Sequence, residues 1–167
     1  ILALANPTPE IMPEEALAVR PDAMICTGRS DYANQVNNVL CFPYIFRGAL
    51  DVGATTINEA MKLAAVDAIA GLAREAPSDV AARSHGGETR LFGSDSLIPS
   101  PFDPRLILRV APAVARAAMA TGVAARPIAD LKTYEESLQR FVFRSGFIMR
   151  PMFAWARENP RRVSYAD

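Results

Sequence analysis

The chain has 167 residues, half of them hydrophobic and 22% charged, with 18 basic and 18 acidic side chains that leave no net charge. That length suits one domain with a sizeable core, and the neutral balance excludes the strongly basic footprint of a nucleic-acid binder. No apolar run reaches the length a bilayer requires, so no membrane role is indicated and a cytoplasmic location is expected. The two cysteines, Cys26 and Cys41, sit in apolar stretches and are expected to be reduced and buried.

In chain order, Ile1 to Ala5 reads as a buried parallel strand, and Asn6-Pro7-Thr8-Pro9 stops it because proline cannot continue a β-ladder. Asn6 thus stands at a strand's carboxyl end. The strand-like run begins at the first residue, and Arg161 to Asp167 resembles another strand starting, so a part of a longer protein is expected. Pro13 followed by Glu14 and Glu15 suits the first turn of a short helix, with acids near its positive end. Pro21-Asp22 then turns the chain into a second strand, Ala23 to Thr27. Two strands joined through a helix make a β-α-β unit, so Asn6 and Gly28 are expected to share one edge of a parallel sheet.

The stretch from Thr27 to Asp51 reads as strand, ligand loop, helix. In an open α/β sheet ligands lie outside the carboxyl ends of the parallel strands, and amides such as Asn37 and Asn38 can both donate and accept there. Asp31 or Asn34 is a candidate cap for a helix carrying Val36, Val39 and Leu40. Pro43 is expected to break it, with a second helical piece through Ile45, Phe46 and Leu50, and Arg47 and Asp51, four apart, are expected to pair.

Thr56 and Glu59 have the spacing of a capping box, and Ile57, Met61, Ala64, Ala65, Ala68 and Leu72 recur at helical spacing to about Glu75. Residues 76–101 read as a long surface connection holding a solvated His85, with a short helix at Asp79 to Arg83 as a further expectation. Asp103-Pro104 supplies an N-cap and a first-turn proline for a helix ending at Gly122. Pro112 inside it implies a kink or two helices end to end. Val123 to Ile128 reads as a linker and Leu131 to Phe143 as an amphipathic helix. The apolar cluster of Phe147 to Trp155 is expected to pack on another subunit or domain.

Five segments together carry a family resemblance: Ala5-Asn6-Pro7-Thr8-Pro9-Glu10, Thr27-Gly28-Arg29-Ser30-Asp31-Tyr32, Asn34-Gln35-Val36-Asn37-Asn38-Val39, the run Phe42 to Val52, and Pro101-Phe102-Asp103-Pro104-Arg105. The chain resembles the bacterial malic enzymes, and more narrowly the long type in which a malic enzyme is fused to a phosphotransacetylase-like domain. The resemblance implies an α/β fold, the C-terminal half of a Rossmann-like NAD(P)-binding domain over residues 1–122. Residues 123–167 would then be a helical linker and the start of the phosphotransacetylase-like region. It also implies an NADP-dependent malic enzyme, converting L-malate to pyruvate and carbon dioxide with NADP or NAD as hydride acceptor and Mg²⁺ or Mn²⁺ as Lewis acid, and it implies a homo-oligomer.

 In that family the catalytic tyrosine and lysine, the acidic metal ligands and the glycine-rich phosphate loop lie upstream of the part matched here. No catalytic residue and no metal ligand is therefore expected in this chain, which by itself should be inactive.

Carried over residue by residue, the resemblance makes Asn6 and Asn38 substrate-binding and Asn6, Asn37 and Asn38 cofactor-binding, on the side where malate meets the nicotinamide. Without it, Asn6 is a turn former, and Asn37 and Asn38 are capping or surface residues. Arg29 and Ser30 are open between holding an anion and forming a loop salt bridge, while Glu10, Glu14 and Glu15 read as acids at a helix start. The pattern departs from the family at Ala33, where proline is usual, at Cys41, where glycine is usual, and at Gly53, where arginine is usual. Two other readings stay open: a non-catalytic nucleotide-binding or regulatory module derived from such a domain, and an unrelated helical interaction domain.

Overall fold

The computed structural model describes residues 1–75 and 91–142. They fall into two compact units, residues 1–129 and the chain from Asp130 onward. The expected helix at Asp79 to Arg83, His85 and the apolar cluster of Phe147 to Trp155 lie outside the described residues.

The first unit begins with two short parallel strands, β1 (Leu2–Ala3) and β2 (Cys26–Thr27), paired Leu2 to Cys26 and Ala3 to Thr27. Both are shorter than the apolar runs suggest. The helix between them, α1 (Pro13–Val19), starts with its proline in the first turn and carries Glu14 and Glu15 there, as expected. The Glu15 carboxylate reaches back to accept from the Met12 N–H at 3.3 Å.

Residues 31–40 do not form the expected helix. Instead Gln35 makes a parallel bridge with Thr27, and the Val36 N–H donates to the Thr27 carbonyl at 2.8 Å. A helix over this stretch would have to give up those bonds, and Asn34, at φ 54°, has the left-handed backbone that ends regular structure. A short 3₁₀ turn, Asn38–Leu40, follows.

Helix α2 (Phe42–Asp51) comes next, and Pro43 lies in its first turn. The proline therefore opens this helix rather than breaking an earlier one, because a first-turn residue has no intrahelical use for its N–H. The expected Arg47–Asp51 pair is present at 2.6 Å.

Helix α3 (Glu59–Arg74) ends where the periodicity predicts, but its cap is Asn58 and not Thr56. The Asn58 carbonyl oxygen of the side chain accepts from Met61 N at 3.1 Å, and its amide donates to Thr121 Oγ1 at 2.8 Å. Asparagine caps at least as well as threonine, and here it gains a second partner from a distant turn.

Helix α4 (Arg105–Ala120) runs as one element through Pro112. The proline removes one backbone bond, yet Val110, Ala111, Val114, Ala115 and Ala118 around it are all fully buried, and packing against α2 and α3 offsets the loss. Pro104 occupies the cap position, one residue later than predicted. The buried Asp103 carboxylate still accepts from Arg105 N at 2.9 Å and holds the Arg105 guanidinium at 2.7 Å.

Gly48 explains how closely α2 and α4 cross. A β-carbon there would collide with the Ala111 carbonyl oxygen and lie 2.9 Å from Val114 Cβ. Leu40, Leu72 and Leu106 form a buried cluster, flanked by Tyr44, Ile69 and Ile98.

Val123 to Arg126 is more ordered than a linker. The segment bridges antiparallel to Ala54, its Arg126 N–H donates to Val52 O at 2.8 Å, and Gly122 before it takes φ 74° as a helix-ending residue.

In the second unit a helix, α5, is described from 131 to 142. Asp130 caps it, accepting from Lys132 N at 2.9 Å and from the Thr133 hydroxyl at 2.6 Å. Those bonds hold the Asp130 carboxyl below its ordinary range, the Thr133 hydroxyl contributing most.

Candidate functional site

The carboxyl ends of β1 and β2 form a polar rim. The Asn6 amide lies directly against Gly28: a β-carbon on that glycine would come within 2.7 Å of Asn6 Nδ2 and 2.8 Å of Asn6 Oδ1. Glycine at position 28 is thus what lets two strand ends approach with an amide between them. The backbone of the Asn6 turn is tied down by its own acid, Glu10, which accepts from Ala5 N at 3.2 Å, and such backbone donors hold the Glu10 carboxyl low.

On the other side of β2, Gln35 pairs with Thr27 and its side-chain amide donates to the Gly28 carbonyl at 3.4 Å. Running parallel to β2, this segment carries Asn37 and Asn38 toward the same end of the sheet. Asn6, Asn37 and Asn38 are all exposed.

Their side chains are differently committed. Asn37 uses its oxygen to cap the 3₁₀ turn, accepting from Val39 N at 3.0 Å, and keeps its amide N–H groups. Among the described residues, the side-chain amides of Asn6 and Asn38 make no hydrogen bond. An exposed amide with both edges available can donate to a carboxylate or exchange bonds with a carboxamide, and cannot lose a proton near neutral pH.

The charged side chains of the loop are held by one another. Arg29 forms a two-point salt bridge with Asp31 at 2.9 and 2.7 Å and lies over the Tyr32 ring, 5.5 Å from its centre. Arg29 thus forms the loop salt bridge that is one of its two expected roles. Hydrogen bonding to Asp31 raises the arginine and lowers the aspartate. Tyr32 donates to Glu14 at 2.7 Å, linking the loop to α1, and this contact is the first cause of a lowered Glu14 carboxyl.

Of the cysteines, Cys26 is buried and Cys41 half-buried, and neither is in a disulfide; burial raises both thiols. Among the described residues no three His, Cys, Asp or Glu side chains converge to hold an ion. The divalent cation implied by the resemblance therefore has no ligand set in the described part of this chain.

Sequence reasoning missed Asn34. It is 7% exposed, and its amide donates to Ile25 O at 3.1 Å and Ser94 O at 2.7 Å while its oxygen accepts from Leu97 N at 2.7 Å. Its sequence signal was an asparagine in a loop between apolar runs, a residue that tolerates positive φ. The two partners some sixty residues later carried no signal.

No protein-family model matches this chain. The NAD-dependent malic enzyme of Rhizobium meliloti is 72% identical over 168 aligned residues, covering 100% of this chain and 22% of that protein. The NADP-dependent malic enzyme of Haemophilus influenzae is 63% identical over 167 residues, again across 100% of this chain and 22% of the relative.

Along its whole length the chain matches a part of the bacterial malic enzymes.

It spans about a fifth of the length of the curated relatives it matches, 22% in each case. The crystal structure of malic enzyme from Pyrococcus horikoshii superposes with a TM-score of 0.69 at 40% identity, covering 94% of this chain and 32% of that one. The helix-rich chain with its parallel pair of strands is accordingly part of a Rossmann-like α/β domain, the expected fold class. Among the described residues no helix is long and apolar enough to cross a membrane.

Proposed function

We propose that this chain supplies the substrate- and nicotinamide-facing rim of an enzyme that oxidatively decarboxylates L-malate to pyruvate and carbon dioxide, with NAD or NADP as hydride acceptor. The observation that carries this reading is the pair of uncommitted amides, Asn6 against Gly28 and Asn38 beyond the Gln35 bridge, at the carboxyl ends of parallel strands. Ligands of open α/β sheets bind at that edge.

In this reading Asn38 donates its amide N–H to a malate carboxylate. Asn6, wedged between the strand ends, faces both malate and the nicotinamide carboxamide, where an amide donates with one edge and accepts with the other. Asn37, whose oxygen is occupied by Val39 N, contributes donors to the cofactor side and stiffens the turn beneath Asn38. A bound nicotinamide supplies the carbon that accepts the hydride. The chain's own residues bind and orient; the groups that move protons and hold the metal come from elsewhere in the enzyme.

The names of the relatives include both NAD-dependent and NADP-dependent enzymes, so the reading concerns the nicotinamide end, common to both dinucleotides. In the intact enzyme, Asn38→Ala removes a hydrogen bond to a charged group, worth about 1.5–3 kcal/mol, or roughly 10- to 150-fold in kcat/KM for malate. The melting temperature should not move, because the Asn38 side chain holds nothing in the fold. Unchanged malate kinetics would count against the assignment.

A further inference from the structure

Asn34 touches neither proposed ligand, yet the segment carrying Asn37 and Asn38 leaves the sheet from it. A carboxamide offers two N–H donors and one oxygen, and here all are engaged: the donors on Ile25 O at 3.1 Å and Ser94 O at 2.7 Å, the oxygen on Leu97 N at 2.7 Å. The first of these partners immediately precedes β2. The others belong to a tight turn in which Gly93 and Ser96 exchange backbone hydrogen bonds at 3.3 and 2.9 Å, and which leads at once into Ile98 beside the apolar cluster.

We infer that Asn34 is a positioning residue: its clasp on β2 and on the Gly93–Leu97 turn sets the register of residues 35–38, and through it the place of Asn38 toward malate. The inference rests on the malate reading above. Asn34 is held in the left-handed backbone region at φ 54°, and its buried amide has no freedom to shift without breaking one of three bonds. Immediately after it Gln35 is bridged to Thr27, Val36 N donates to Thr27 O at 2.8 Å, and Asn37 caps the turn that begins at Asn38. Each residue between the clasp and Asn38 is therefore bonded, and little slack remains to absorb a displacement at Asn34.

The test is a double-mutant cycle in the intact enzyme, with malate KM, kcat and melting temperature read on each variant. Asn34→Gly is the informative substitution, because glycine keeps the left-handed backbone while all three side-chain bonds are lost. A misplacement of about 1 Å can cost up to about 100-fold, so a rise in malate KM of about tenfold is expected well below the melting transition. In the Asn38→Ala background the same substitution should change KM less than about twofold, since the residue it positions is gone.

Equal rises in both backgrounds, or a lowered melting temperature with malate KM unchanged, would overturn the positioning role. Should Asn34→Gly fail to fold, the cycle is run with Asn34→Asp. That variant keeps an acceptor for Leu97 N and turns a carboxylate oxygen toward two carbonyls, and the same dependence on Asn38 is expected. A normal malate response in Asn38→Ala alone would remove both the site reading and this inference. A clear Asn38→Ala defect beside equal Asn34→Gly effects would remove this inference alone.

Discussion

The strand-end rim and the helical layer behind it are held together by different physics. In the layer, α4 buries Leu106, Val110, Ala111, Val114, Ala115 and Ala118 completely against its neighbours. Apolar burial is non-directional and spread over many atoms, so the layer is stable without any one contact being placed to a fraction of an ångström. At the rim the strands are two residues long, and the connections are individual polar contacts: Asn34 to Ser94 and Leu97, Arg29 to Asp31, Tyr32 to Glu14. Hydrogen bonds of this kind add little net stability but dictate direction. Stability and site geometry are thus separable here, and substitutions in the two regions should leave different signatures in the intact enzyme.

The largest expected effect is in the layer. Leu106→Ala opens a cavity in the Leu40–Leu72–Leu106 cluster and should cost about 2–5 kcal/mol, seen as a lower midpoint in denaturant, with malate KM of the folded enzyme unchanged. A tenfold shift in KM would break the separation. Gly48→Ala comes next: its new β-carbon meets the Ala111 carbonyl and Val114, so α2 must move off α4 at a cost of about 1–3 kcal/mol, measured by the same titration.

Rim substitutions sharpen the contrast from the other side. Asn37→Ala loses the bond to Val39 N, about 1 kcal/mol by analogy with helix caps, and should act mainly on the dinucleotide KM. A change confined to the denaturation midpoint would make Asn37 a capping residue alone. The smallest effect is at Tyr32. Its hydrogen bond lowers the Glu14 carboxyl, so the contact favours the fold above the ordinary carboxylate range and that contribution is lost as pH falls through the lowered value. In Tyr32→Phe the Glu14 titration, followed by NMR of its carboxyl carbon, should move upward; an unmoved titration would mean that this contact does not tie the loop to α1.

Much of the layer was legible in the residues. The apolar spacing from Met61 to Leu72 predicted α3 and its end, Gly122 marked the end of α4, and the Arg47–Asp51 spacing predicted their pair. Caps and breaks were read less well. Thr56 yielded to Asn58 because the latter also reaches Thr121, and Pro43 began a helix instead of interrupting one. At the rim, the approach of Asn6 to Gly28 followed from strand, stop, helix and strand in order, whereas the segment before Asn38 was misread as helical.

Local pattern by itself determined the β-α-β opening, the three packed helices and the placing of Asn6 at a strand end, because periodicity, proline and glycine act over a few neighbouring residues. The tertiary structure decided the rest: the extended course of residues 35–37, the uninterrupted passage of α4 through Pro112, and the clasp of Asn34 on a turn sixty residues away. Those depend on which distant backbone groups come within hydrogen-bonding or packing reach, and no spacing along the chain encodes that distance.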